Sequence, residues 1–293
     1  MVCKFYLELV FEHSLVIGTW PLVIAPAILL PMRTPLRTIL TLALSLSLIP
    51  AAVASAGQTA SGATLAGSGT DVWAERLSRT EGFIAASKNF APVQAAWPEK
   101  WQKYQAKLSA HISKCRDAVR KANRDTVTSV SMQCLRTQYL MEQDFLKREK
   151  TLYQGLPGIT DPIKAEMTAK NEALSGAFQS LIDGIDAKVL RTTDDLKRVR
   201  KNLLSTYRVP YWLSVAHLQA DEAQTWTISL LLTSRETAPD NAPCLGAAEA
   251  LFITSSSATT QETAMDAFTK GSLKILKCTS PAPDSGTGSL RGS

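Results

Sequence analysis

Residues 97–152 read WPEKWQKYQAKLSAHISKCRDAVRKANRDTVTSVSMQCLRTQYLMEQDFLKREKTL. In the first half, Trp97, Trp101, Tyr104, Leu108, His111, Cys115, Ala118 and Ala122 recur at intervals of 4, 3, 4, 3, 4, 3 and 4. That spacing places all eight on one face of a helix and predicts lengthwise packing against a partner. Pro98 stands where a helix start accepts proline. Asn123-Arg124-Asp125-Thr126 supplies a turn, with Thr126 placed to cap the next helix. Val127, Val130, Cys134, Met141, Phe145 and Leu152 then share one face of a second long helix. The two arms are expected to form an antiparallel hairpin.

The cysteines test that geometry. Cys115 and Cys134 lie at equal distances from the turn centre between Arg124 and Asp125. Level positions on facing antiparallel helices bring Cα atoms into the bridging range of about 4.4–6.8 Å. The expected disulfides are therefore Cys115–Cys134 and, by remainder, Cys244–Cys278. Closing the first loop contributes about 3 kcal/mol in the chain-entropy account.

Outward from the hairpin, the pattern stays helical. Asp71 can cap a helix bearing Trp73, Leu77 and Ile84, expected to end before Pro92. Downstream, Gly155-Leu156-Pro157-Gly158 breaks the chain and marks a candidate division near 155–160. Asp161-Pro162 starts a helix with Ile163, Met167, Leu174, Phe178, Leu181, Ile185 and Val189 on one face. Thr193-Asp194-Asp195 starts another, with Leu196, Val199, Leu203 and Tyr207 inward, and Pro210 is expected to interrupt it. Residues 211–233 resume with Val215, Leu218, Trp226 and Ile228. Two short helices near 244–253 and 261–277 follow, closed by Cys244–Cys278 into an antiparallel cap. No run alternates with period two, so the expected class is all-α: an elongated helical bundle over residues 71–278 with a long disulfide-stapled hairpin.

The N-terminal part reads as targeting sequence. Arg33 and Arg37, an apolar core over 39–48 and Ala54-Ser55-Ala56 form the three parts of an export signal over residues 32–56, with maturation at Gly57. Residues 1–31 read as an over-called start. The alternative is a membrane segment, with apolar stretches 14–30 and 39–53 and Arg33 and Arg37 cytoplasmic. Pro21, Pro26 and Pro31 weigh against a span. Residues 57–70 are a Gly/Ser/Ala/Thr linker, and 279–293 a tail disordered by composition. Removal of residues 1–56 leaves 29 basic and 24 acidic residues and four cysteines. An even cysteine count suits an oxidising compartment, so the expected location is periplasmic or secreted. The mild positive balance favours an anionic envelope surface or an envelope protein as partner and gives no reason to expect nucleic-acid binding.

Around Cys115, Cys134 and Leu152-Tyr153 the chain is similar to small exported helical modules that include periplasmic lysozyme inhibitors. The similarity covers a small part of the chain, the later Trp/Arg/Cys pattern of those modules does not follow at the expected places, and no family is assigned from it.

Chemistry-bearing motifs are scarce. Cys-x-x-Cys, His-Glu-x-x-His, Gly-x-Ser-x-Gly and phosphate-binding Gly loops are all absent. Only His111 and His217 remain after residue 56. No cofactor is expected. His217 and Asp221, one helical turn apart and followed by Glu222, are the candidate metal or acid/base group of an envelope-polymer hydrolase. His111 reads as a hydrogen-bonded interface residue. Tyr207, Arg208, Tyr211 and Trp212 cluster at a proline and could stack on a sugar or peptide, as in a small-ligand or glycan-binding module. Lys114, Arg116, Arg120, Lys121 and Arg124 make a basic hairpin tip suited to an acidic surface. The expected function is non-catalytic interaction at the cell envelope.

Overall fold

The computed structural model describes residues 69–279. Residues 1–68, with the expected start, signal and linker segments, and the expected tail beyond Thr279 lie outside the described residues. Every regular element described is helical. In chain order these are α1 Gly69–Thr80, α2 Phe83–Lys121, α3 Val127–Gly155, α4 Asp161–Asp186, α5 Thr193–Asn202, a π-helical turn Leu203–Arg208, α6 Val209–Thr237, a 3-10 turn Pro239–Asn241, α7 Ala242–Ser256 and α8 Gln261–Thr279. Among the described residues, no helix is long and apolar enough to cross a membrane.

The antiparallel pairing of α2 and α3 follows from their contacts. Cys115 bonds Cys134, with Cα atoms 5.7 Å apart. Further from the turn, Phe145 lies against Trp97, Trp101 and Tyr104, with ring centroids 5.7, 4.8 and 4.4 Å apart. Further still, Phe90 reaches the backbone at Gly155, where an added Cβ would stand 2.8 Å from its ring. His111 bridges the helices as expected, its Nε2 lying 2.9 Å from the Cys134 carbonyl oxygen.

Three local expectations are corrected. The N-terminal helix does not end before Pro92. The break comes at Gly82, whose φ of 69° favours glycine, and α2 runs through both Pro92 and Pro98. Proline at 92 orphans the carbonyl of Lys88, which sits at an exposed position where water can satisfy it. At the hairpin turn, Asn123 rather than Thr126 supplies the capping oxygen: its Oδ1 accepts from the backbone N–H groups of Asp125 and Thr126 at 3.1 and 2.9 Å. Val189 lies past the end of α4 and is 70% exposed, because the chain leaves the helix before that position.

α3 has a second buried face. Tyr139, Leu146 and Tyr153 join Leu174, Phe178 and Ile182 of α4 and Leu203, Tyr211 and Leu218 from the α5–α6 region in the main core. Leu156 and Ile159 belong to it as well, so the Gly/Pro turn between α3 and α4 passes through the core. α6 is buried along most of its length and packs against α1, α4, α7 and α8. Its threonines are internally satisfied: Thr225 Oγ1 donates to the Gly158 carbonyl at 2.6 Å, and Thr227 Oγ1 to that of Ala223 at 2.7 Å. At the C-terminal end, Cys244–Cys278 joins α7 to α8, with Cα atoms 5.7 Å apart. Phe252 there packs on Gly271, where a Cβ would come within 2.9 Å of its ring.

Gly158 combines both glycine roles. Its φ is +78°, and a Cβ there would stand 2.5 Å from Phe83 and 2.9 Å from the Thr225 methyl. Gly158→Ala is expected to destabilise the fold by about 1–3 kcal/mol, read by urea unfolding. A midpoint equal to that of the native chain would contradict this packing.

Candidate functional site

Arg208, Tyr211 and Trp212 of the predicted aromatic cluster do come together, in a cleft between the hairpin and α6. Tyr207 packs into the main core instead. α2 contributes Trp97, Trp101 and Tyr104; α3 contributes Glu142, Phe145 and Glu149; α4 contributes Leu174 and Phe178. The cavity volume is about 80 Å³, several times what one water needs and suited to a single narrow group.

The π-helical turn brings Arg208 to this site. Pro210 was expected to interrupt the helix; instead one widened turn over Leu203–Arg208 precedes it, and Pro210 sits in the first turn of α6, where its missing N–H is tolerated. Arg208 Nη2 reaches Glu142 Oε2 at 2.5 Å, and both side chains are buried, at 12% and 6% exposure. The guanidinium also lies over the Phe178 ring, 5.4 Å from its centroid. The other carboxylate oxygen, Glu142 Oε1, accepts from Gln138 Nε2 at 2.8 Å. Glu142 is thus fully engaged.

Glu149, two turns further along α3, is different. Tyr211 donates its hydroxyl to Oε2, but no cation pairs with the carboxyl among the described residues. Burial pushes its pKa up to about 7, partly countered by the Tyr211 hydrogen bond. The Tyr211 and Tyr104 hydroxyls are themselves pushed up by burial, so both stay neutral near pH 7. Tyr104 Oη is buried and has no hydrogen-bond partner within the protein. A carboxyl with no cation partner and a hydroxyl with no hydrogen-bond partner therefore share an aromatic-walled cleft.

No protein family, characterised protein or solved structure matches the chain.

The other sequence candidates are placed elsewhere. His217 does not form a site with Asp221. Its Nδ1 faces Glu166 at 3.1 Å and its Nε2 the Ala258 carbonyl at 2.9 Å, tying α6 to α4 and to the α7–α8 turn. The Glu166 hydrogen bond raises the His217 pKa against the opposing effect of burial. Asp221 binds Arg79 at 2.5 Å and accepts from the Thr160 N–H and hydroxyl at 2.6 and 2.9 Å, so it joins α1 to the start of α4. Glu222 has a partner of its own. At the hairpin tip, Lys114, Arg120, Lys121 and Arg124 are exposed, while Arg116 is half-buried and engaged.

Glu142 and Glu149 escaped the sequence reading because charged residues on a long helix read as a solvated face. Their offset of seven, with Phe145 between them on the same face, was the available signal.

The raised Glu149 pKa sets a stability prediction. A carboxyl whose folded pKa lies above its ordinary 4.5 costs stability progressively as pH rises from that value towards about 7. Glu149→Gln is expected to melt higher than the native chain at pH 8 and to lose this advantage near pH 4. An equal difference at both pH values would contradict the assignment.

Proposed function

We propose that the protein is an exported, non-catalytic binding protein of the cell envelope, which receives a group of its partner in the aromatic cleft. One observation carries this reading: the aromatic side chains of Trp97, Trp101, Tyr104, Phe145 and Trp212 wall a cleft holding a carboxyl without a cation partner, that of Glu149, and a hydroxyl without a hydrogen-bond partner, that of Tyr104. Such convergent polar groups in an otherwise apolar pocket are what orient a bound group. The disulfide-stapled hairpin presents one wall already ordered, which lowers the cost of binding. The two disulfides and the signal-like residues 32–56 support an oxidising, periplasmic or secreted location.

The hydrolase reading has less behind it. His217 and Asp221 hold helices together, and in the cleft Glu142 is committed to Arg208, leaving no second free carboxyl for acid/base work. The basic tip is a second contact region: Lys114, Arg120, Lys121 and Arg124 are exposed and make no ion pair among the described residues. Exposed charge of this kind acts mainly on encounter rate.

The test is capture of envelope components from solubilised membranes by the mature protein. Trp101→Ala is expected to lower capture about tenfold, the loss of roughly 1.4 kcal/mol, with helicity by circular dichroism unchanged. Reversing Arg120, Lys121 and Arg124 to Glu is expected to slow association. Undiminished capture by the Trp101 variant would contradict a role for the cleft.

A further inference from the structure

The chemistry of the cleft narrows what it can hold. Of its two carboxyl groups, Glu142 is neutralised by Arg208 at 2.5 Å, and the Arg208 charge is cancelled in turn. Glu149 has only the neutral Tyr211 hydroxyl. With Glu149 ionised, the cleft therefore carries one uncompensated negative charge, surrounded by aromatic faces whose quadrupoles also attract cations.

From this geometry we infer that the cleft is a receptor for a primary ammonium group on an apolar stem, supplied by a lysine side chain of a partner protein. This inference rests on the binding function proposed above and specifies the group bound. Three features select it. Glu149 Oε1, on the other side of the carboxyl from the Tyr211 hydrogen bond, and the unpartnered Tyr104 hydroxyl can each accept a hydrogen bond, which a primary ammonium donates and a quaternary ammonium cannot. Tyr211 already donates to one Glu149 oxygen, which favours a donor that needs only the other oxygen over the parallel two-oxygen contact of a guanidinium. The volume of about 80 Å³ suits one unbranched side chain better than a sugar ring flanked by its neighbours.

Ion pairing requires the Glu149 carboxylate, so capture of the ammonium displaces a proton from a carboxyl that titrates near 7. The groups facing Glu149 are Tyr104 from α2, Glu142 and Tyr153 along α3, Arg208 from the π-helical turn and Tyr211 from α6. α4 presents only the apolar Leu174 and Phe178 to the cleft. Of the ionisable groups, the tyrosines stay neutral in the range of interest and the Arg208–Glu142 pair is mutually neutralised, which leaves Glu149 to set the pH dependence.

The experiment is a titration of the mature protein with n-butylammonium, followed by tryptophan fluorescence from Trp97, Trp101 and Trp212. Separate arms use tetramethylammonium and the N-acetylglucosamine trimer, each at pH 6 and pH 8. The alkylammonium stays charged at both values, as lysine does. The expected result is saturable binding of n-butylammonium that is about tenfold weaker at pH 6 than at pH 8, the ratio for a site competent only when a group of midpoint near 7 is ionised. Glu149→Gln is expected to abolish that binding while retaining its melting transition, and if the variant does not fold, the pH arm on the native chain still decides. Binding of the sugar or of tetramethylammonium in place of n-butylammonium would overturn the lysine assignment and leave the cleft as a binding site. Absence of any binding would also overturn it, and the Trp101 capture experiment then decides the broader function separately.

Discussion

The buried pair between Arg208 and Glu142 is the constraint on which the rest of the site depends. It joins two parts of the chain that meet in the main core: the hairpin helix α3 and the π-helical turn ahead of α6. Removing either partner would strand a buried charge, a loss of about 3–5 kcal/mol, so the two elements are held at one spacing and the cleft has one width. The pair also fixes the electrostatics. By consuming Glu142 completely, with Gln138 on its second oxygen, it leaves Glu149 as the carboxyl of the cleft that has no cation partner among the described residues.

Other buried polar groups serve the fold. His217 links three elements, Asp221 links α1 to the start of α4, and Glu249 binds Arg76 of α1 at 2.8 Å. The described side chains of α1, residues 74–80, are exposed or half-buried, and charge-assisted bonds to buried carboxylates hold the helix in place. Such groups are saturated by their structural partners. The contrast with Glu149 and Tyr104, which are not, is what separates architecture from a site here.

The hairpin was legible because helical periodicity and cysteine placement are both local signals. Two cysteines equidistant from a turn, each on the seam, leave little freedom in register, and the disulfides formed accordingly. Proline misled because its cost depends on surroundings: Pro92 and Pro98 sit inside α2, and Pro210 is absorbed by a widened turn that no hydrophobic period encodes. The second buried face of α3 was hidden because Gln138, Glu142 and Gln143 are buried polar residues that read as solvated. Only the aromatic cluster around Arg208 pointed towards the cleft. Its opposite wall comes from residues about a hundred positions earlier, a juxtaposition that only tertiary packing creates.

The central claim is that Glu149 is a carboxyl held unpaired in a built cleft. Carbon-13 NMR titration of the glutamate side-chain carboxyls, assigned with Glu149→Gln, measures this directly. The expected result is a Glu149 midpoint near 7 that moves to lower pH when n-butylammonium is added. A midpoint in the ordinary carboxylate range near 4.3, unmoved by the cation, would contradict the account.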